Sequence, residues 1–83
     1  MFGIGSPSDS DVQSKYKFIS GVWASQQNRK DLDSSKINDL RLMYNEATNI
    51  INRYNNTSKS SSERKAIMSE LKKIENRYQK ICG

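Results

Sequence analysis

The stretch INDLRLMYNEATNIINRY, residues 37–54, decides the fold of this 83-residue chain. Its apolar residues recur at intervals of three or four, which places them on one face of an α-helix. Met43 and Ile50 widen that face on one side, whereas Leu42 projects away from it and is expected to be exposed. The main stripe consists of Ile37, Leu40, Tyr44, Ala47, Ile51 and Tyr54. We therefore predict an amphipathic helix over about residues 35–55.

A second helix of the same kind is predicted over about residues 62–80, after a polar loop. Its start is marked by Ser60-Ser61-Ser62-Glu63, which has the form of a capping box. The apolar residues that follow form a narrow seam of Ile67, Leu71, Ile74, Tyr78 and Ile81, flanked by Met68. Because the two seams match and the connecting loop is short, we expect an antiparallel hairpin.

The N-terminal third predicts another helix, over about residues 8–29, with Ser6, Ser8 and Ser10 as competing caps. Its apolar residues cover an arc of about 160°, which is broad for a short helix. They are Val12, Tyr16, Phe18, Ile19, Val22 and Trp23. A two-helix hairpin buries little surface, so this helix is the natural third member of the core, with the second helix between the other two.

The expected organisation is all-α: a flexible leader over residues 1–6 and a single helical domain over 7–83. Within that domain, residues 7–30 hold the first helix and residues 34–83 the hairpin. A core of this size contributes only a few kcal/mol of net stability, so a homodimer is possible. No signal peptide or membrane-spanning run is evident, and we expect the cytoplasm as the location.

The composition disfavours an enzyme. Histidine is absent and Cys82 is the only cysteine, so neither a Ser-His or Cys-His pair nor a Cys/His metal site can form. The paired carboxylates at 9 and 11 and at 31 and 33 stand at helix starts, where capping explains them. No glycine-rich phosphate loop occurs. We expect no catalytic residues, no cofactor and no metal.

The clearest charge pattern lies on the third helix. Five cations, which we call the basic face, span an arc of about 140° opposite the apolar seam. They are Lys65, Lys72, Lys73, Arg77 and Lys80. Residues 60–83 contain six basic and three acidic residues, so this segment holds +3 of the net charge of +5. Such a face could contact nucleic-acid phosphates, steer an acidic protein partner, or simply be solvated.

The first helix offers a second candidate surface. Phe18, Val22 and Trp23 supply more apolar area than a third bundle helix needs, and aromatic residues are common interface anchors. They could dock in an apolar groove of a partner protein, with Leu42 as an outlying contact. The alternative is that they complete the core of this domain.

A loose family resemblance concerns the last two helices. Ile37-Asn38-Asp39-Leu40-Arg41 and Met68-Ser69-Glu70-Leu71, the latter helix ending in Tyr78-Gln79, resemble the helical-hairpin sporulation phosphatases. The resemblance implies a hairpin for this part of the chain. Lys72 stands where that family has an acidic residue, so the resemblance implies no site residue here.

These observations favour a small protein-interaction module, such as an adaptor, an inhibitor or an accessory factor of a phage or mobile element. It would act by occupying a partner surface that is acidic or has an apolar groove. A nucleic-acid-binding accessory protein using the basic face is the alternative.

Overall fold

The computed structural model describes residues 7–82, apart from the side chain of Cys82. Three α-helices make up this part of the chain: α1 (Asp9–Gln26), α2 (Ser34–Asn55) and α3 (Ser61–Cys82). The prediction of an all-α, three-helix protein is therefore confirmed. The predicted leader over residues 1–6, including the candidate cap Ser6, lies outside the described residues.

Helix α1 begins where predicted but ends earlier. Ser8 is its cap: the Ser8 hydroxyl accepts from the backbone N–H of Asp11 at 3.1 Å, and the Asp11 carboxylate accepts from the Ser8 N–H at 3.0 Å. The predicted end near residue 29 is wrong, because the helix stops at Gln26. Residues 27–31 offer no apolar side chain to the core. The Arg29 side chain instead closes the turn, donating to Gln26 at 2.8 Å and to Asp31 at 2.9 Å.

The starts of α2 and α3 follow from the same capping chemistry. The Asp33 carboxylate accepts from the Lys36 N–H at 2.9 Å and so caps α2. The capping box predicted before α3 is present. The Ser60 hydroxyl accepts from the Glu63 N–H at 3.3 Å, and the Glu63 carboxylate accepts from the Ser60 N–H at 3.2 Å. Each cap satisfies N–H groups that have no partner within the helix.

All three helices contribute to one core. Among the described residues, the buried apolar side chains are Val12, Ile19, Leu40, Met43, Ala47, Ile50, Ile51, Tyr54, Leu71, Ile74 and Tyr78. Met43 and Ile50 are buried, whereas Ile37 and Tyr44 of the predicted stripe are only partly buried. The buried face of α2 is thus rotated toward the side on which Met43 and Ile50 lie.

The helices run up, down and up. Asp9 at the start of α1 meets Tyr54 near the end of α2, so these two helices are antiparallel. Tyr78 near the end of α3 meets Leu40 early in α2, which makes the second pair the predicted antiparallel hairpin. Every helix packs against both others. The expectation that α2 lies between the other two is therefore wrong, since α1 also covers α3.

Two buried tyrosines fix the register of α2. The Tyr54 hydroxyl donates to the Asp9 carboxylate at 2.7 Å, and the Tyr78 hydroxyl donates to the Leu40 carbonyl at 3.1 Å. Both rings are almost fully buried, so each hydroxyl needs a partner inside the fold. Because each bond joins two helices, a slip of either helix would leave a buried hydroxyl unpaired.

The loop between α2 and α3 is tied to the start of α1. Lys59 has a φ of 57°, a left-handed conformation that is uncommon for a residue other than glycine. The Arg64 guanidinium donates to the Lys59 carbonyl at 2.6 Å and to the Pro7 carbonyl at 2.7 Å. One partly buried side chain therefore holds the loop and the chain segment entering α1 together.

Replacing Gly21 with alanine is expected to stabilise the fold. Gly21 is exposed within α1, and a Cβ atom there would meet nothing within 4 Å. The substitution should raise the free energy of unfolding by about 0.5–1 kcal/mol, because alanine loses less backbone entropy in a helix. Chemical denaturation measures this change. The reciprocal variant Ala24→Gly, also exposed in α1, should lower stability by a similar amount. A lower free energy of unfolding for Gly21→Ala would contradict the conclusion that a methyl group fits at this helical position without a clash.

The bond between Tyr54 and Asp9 predicts a loss of stability at alkaline pH. Burial, with the hydrogen bond to Asp9 and its charge, raises the pKa of Tyr54 from 10.0 to about 12. Since the folded pKa exceeds the unfolded one, this stabilisation is fully present below pH 10 and is lost as the pH rises toward 12. The free energy of unfolding should therefore fall in this window, as measured by denaturation at a series of pH values.

Tyr54→Phe is the matched comparison for that measurement. It should cost about 1 kcal/mol at neutral pH, because the hydrogen bond is lost. It should also show a shallower decline above pH 10, since no buried hydroxyl remains to ionise at this site. Equal alkaline slopes in the two proteins would show that the ionisation of Tyr54 is not linked to unfolding.

Candidate partner-binding surface

The basic face lies on the solvent side of α3, as its spacing predicted. All five of its cations are exposed. Arg77 pairs with Glu46 of α2 at 3.5 Å, and both side chains are about half exposed. No described carboxylate lies within salt-bridge distance of the other four cations, Lys65, Lys72, Lys73 and Lys80. The face therefore presents positive charge that the described part of the chain does not neutralise.

The packing of α3 divides the basic face into two parts. Lys65, Lys72 and Lys73 line a shallow depression together with Pro7 and Met68. Arg77 and Lys80 turn toward α2 and line a different groove. At 1.5 Å of rise per residue, the whole face extends over about 22 Å. In one part the charged residues of the lining are all basic, while the other part combines cations with residues of a second helix.

Much of the aromatic surface of α1 is used inside this chain. Trp23 stacks on Tyr44 of α2 with ring centroids 6.1 Å apart, and Tyr16 stacks on the same ring at 6.5 Å. Val22 and Trp23 are partly buried and pack against the core. The role of these two residues as partner anchors stays a prediction, but their apolar surface already has neighbours.

Phe18 differs from the other predicted anchors on α1. Its side chain is 52% exposed. The Lys15 ammonium lies 5.9 Å from the centre of the Phe18 ring and 2.9 Å from the Glu75 carboxylate of α3. Because Lys15 contacts both the Phe18 ring and Glu75, Phe18 lies beside the C-terminal half of α3. It is on the side of α3 that faces α1.

Leu42 lies on the opposite flank of α3. It is 53% exposed, as predicted, and lines an open groove of about 340 Å³ between α2 and α3. We call this the α2–α3 groove. Its described lining is Asp39, Leu42, Met43, Arg77, Lys80 and Ile81. The structure therefore brings Leu42 together with two cations of the basic face.

Sequence reasoning missed three members of the groove. Met43 and Ile81 were treated only as core residues, and Asp39 was given no role. A signal was present for Asp39, because it lies three residues before Leu42 and therefore on the same side of the helix. Ile81 could not be found in this way, since its position depends on how the two helices pack.

The acidic groups with shifted pKa values lie at helix starts and turns. The Tyr54 hydroxyl and the Gln13 amide hold the pKa of the Asp9 carboxyl below its usual value, and the Arg29 guanidinium does the same for Asp31. Hydrogen bonds from Ser58 and from the Ser60 backbone lower the pKa of Glu63. All three carboxylates accept hydrogen bonds that hold helix starts or turns together, and none lines the α2–α3 groove.

The described residues also contain no cluster of side chains that could bind a metal ion. Nowhere within residues 7–82, leaving aside the Cys82 side chain, do three potential metal ligands of the His, Cys, Asp or Glu type come together. None of the three helices, as far as the structure describes them, is both long and apolar enough to cross a membrane.

Comparisons with known proteins do not assign this chain to a family, since no family model, curated protein or solved structure matches it. The resemblance of its last two helices to the sporulation phosphatases is therefore one of hairpin pattern.

The effect of substitutions on the free energy of unfolding should distinguish apolar residues that support the core from those that are exposed to solvent. Trp23→Ala should lower the free energy of unfolding by about 2–3 kcal/mol, because the stacking on Tyr44 and the core contacts are lost. Phe18→Gln and Leu42→Gln should each change it by no more than about 0.5 kcal/mol. Thermal or chemical denaturation followed by circular dichroism provides the measurement. A large loss of stability in Leu42→Gln would show that Leu42 supports the fold instead of facing a partner.

Proposed function

We propose that this chain is a small helical protein-interaction module that acts by occupying a surface on another protein. It would serve as an adaptor, inhibitor or accessory factor of the kind that phages and mobile elements carry, and not as an enzyme. The cytoplasm is its proposed location. The observation that supports this function most directly is the placement of two half-exposed apolar residues, Phe18 and Leu42, on either flank of a basic helix.

The exposed apolar residues support a protein partner. A single exposed leucine or phenylalanine is ordinary on a protein surface. Among the described residues, the two large exposed ones both lie beside the C-terminal half of α3, next to the cations Lys15, Arg77 and Lys80. Apolar contacts surrounded by charged groups are the usual make-up of a protein interface, in which the apolar residues provide affinity and the rim is polar.

The charge of the molecule supports an acidic partner. The net charge is +5, and the basic face concentrates part of it on one helix. Such a field raises the rate of encounter with an acidic surface and disfavours basic ones. At physiological salt it acts over about 8 Å, so it would guide the final approach more than long-range encounter.

Nucleic acid is the second candidate partner. The unpaired cations Lys65, Lys72 and Lys73 favour it, because they line one continuous stretch of α3 and could contact successive phosphates. The two half-exposed apolar residues have no role in phosphate contacts, which is why we rank this function second. The homodimer expected from the small size of the core stays a prediction.

The proposed function predicts that partner capture depends on exposed apolar residues. In pull-downs from a lysate of the source cell, Phe18→Gln combined with Leu42→Gln should remove bound proteins that the unchanged chain retains. Asn45→Gln, an exposed change on α2, is the control and should leave capture intact. Circular dichroism establishes that each variant is folded.

A titration of DNA and RNA at several salt concentrations tests the second candidate. The protein-interaction proposal expects weak binding that the apolar substitutions do not alter. Tight binding, with a salt dependence that falls by about one unit of slope on each of Lys73→Gln and Arg77→Gln, would instead support nucleic-acid binding and contradict our ranking.

A further inference from the structure

We infer that the α2–α3 groove binds a short acidic amphipathic helix of a partner protein. An apolar side chain of that helix would rest on Leu42, and its carboxylates would pair with Arg77 and Lys80. This inference rests on the proposed function and names the kind of segment that the surface recognises.

The groove is large enough for a few side chains of a partner protein and small for a complete small-molecule ligand. Its volume of about 340 Å³ is at the lower end of the range of ~300–1,000 Å³ typical of small-molecule pockets. It is also open to solvent between two antiparallel helices. Grooves between helices commonly receive the apolar side chains of an amphipathic helix, spaced three or four residues apart.

The floor of the groove is apolar and comes from both helices. Leu42 and Met43 contribute from α2, and Ile81 contributes from α3. Met43 is buried in the core beneath, while Leu42 is 53% exposed and accessible to a partner. Covering the exposed part of Leu42 removes apolar surface from water, which would supply much of the affinity.

The charges on the groove favour a carboxylate-bearing segment. Two cations, Arg77 and Lys80, line it against one carboxylate, Asp39. Glu46 beside Arg77 offsets part of this positive charge, and Lys73, one helical turn before Arg77 on the same helix, adds to it. Asp39 would repel a carboxylate placed next to it. The acidic residues of the partner are therefore expected on the α3 side and its apolar residue above Leu42.

Arg77 can release the Glu46 carboxylate and pair with a carboxylate of the partner instead. Glu46 is the one described carboxylate within salt-bridge distance of Arg77, and the contact is long at 3.5 Å. Both side chains are about half exposed, so solvent weakens the pair. A guanidinium has five N–H donors and can accept a second carboxylate in a forked geometry. Glu46 thus competes with the partner for Arg77.

This competition yields a gain-of-affinity test. The probe is a capped synthetic peptide of about 14 residues, or about four helical turns, with leucine on one face and glutamate beside it. Glu46→Gln should tighten binding of this probe by about 1.5- to 5-fold, because Arg77 is released. Arg77→Gln should weaken it by a similar factor, and Leu42→Gln should weaken it about tenfold. Lys65→Gln is the matched control: it removes the same charge about 18 Å along α3 from Arg77 and should have little effect.

The affinities are measured by titrating the peptide into isotope-labelled protein and following backbone amide shifts. The shifts should cluster at Asp39, Leu42, Met43, Arg77, Lys80 and Ile81. Peptides with glutamine or lysine in place of glutamate should bind weakly or not at all. Shifts spread evenly along α3, equal loss on Lys65→Gln, or no tightening with Glu46→Gln would overturn the inference. Stronger shifts of the groove residues with a short DNA duplex than with the peptide would overturn it as well.

Failure of this inference and failure of the proposed function give different results. If the acidic peptide does not bind while Phe18→Gln combined with Leu42→Gln still removes captured proteins, the groove does not bind an acidic helix but the protein-interaction function stands. If neither the peptide nor any cellular protein is retained in a manner sensitive to Phe18 or Leu42, both are rejected.

Discussion

The hydrogen bond from Tyr54 to Asp9 is the interaction on which the packing of the three helices depends. The Tyr54 ring is fully buried at one end of the bundle, and a buried hydroxyl without a partner costs about 1–3 kcal/mol. Its partner is the first residue of α1, which fixes how far α1 extends along α2. Arg64 holds the segment before α1 from the opposite side, through the Pro7 carbonyl. The position of α1 is therefore set at its N-terminal end.

The sequence was sufficient to predict the helices, but not how they face one another. Periodic apolar residues define the core side of each helix, and the capping residues define the starts, so α2 and α3 differ little from expectation. The end of α1 was missed because it depends on the turn formed by Arg29 and Asp31. The contact between α1 and α3 was missed because the periodicity of the apolar residues does not show which neighbouring helix covers each edge of an apolar face. The burial of Met43 and Ile50 reflects the side on which α3 lies.

The same distinction applies to the candidate surface. The spacing of the cations on α3 and the outward position of Leu42 could both be read from one helix at a time. Their meeting in the α2–α3 groove could not, because it depends on the mutual orientation of two helices. Conversely, the spacing of apolar residues on α1 left open whether Trp23 faces a partner or the core, because its stacking on Tyr44 depends on how two helices pack. On a bundle this small, the residues accessible to a partner are those that the third helix leaves uncovered.

The contact between Trp23 and Tyr44 also has a spectroscopic consequence. Trp23 is the only tryptophan in the chain, and its ring is stacked between α1 and α2, away from the α2–α3 groove. Its fluorescence should respond when α1 separates from α2 and change little when the groove is occupied. The molecule therefore carries an internal optical reporter of bundle integrity, and loss of folding can be distinguished from loss of binding in the same sample.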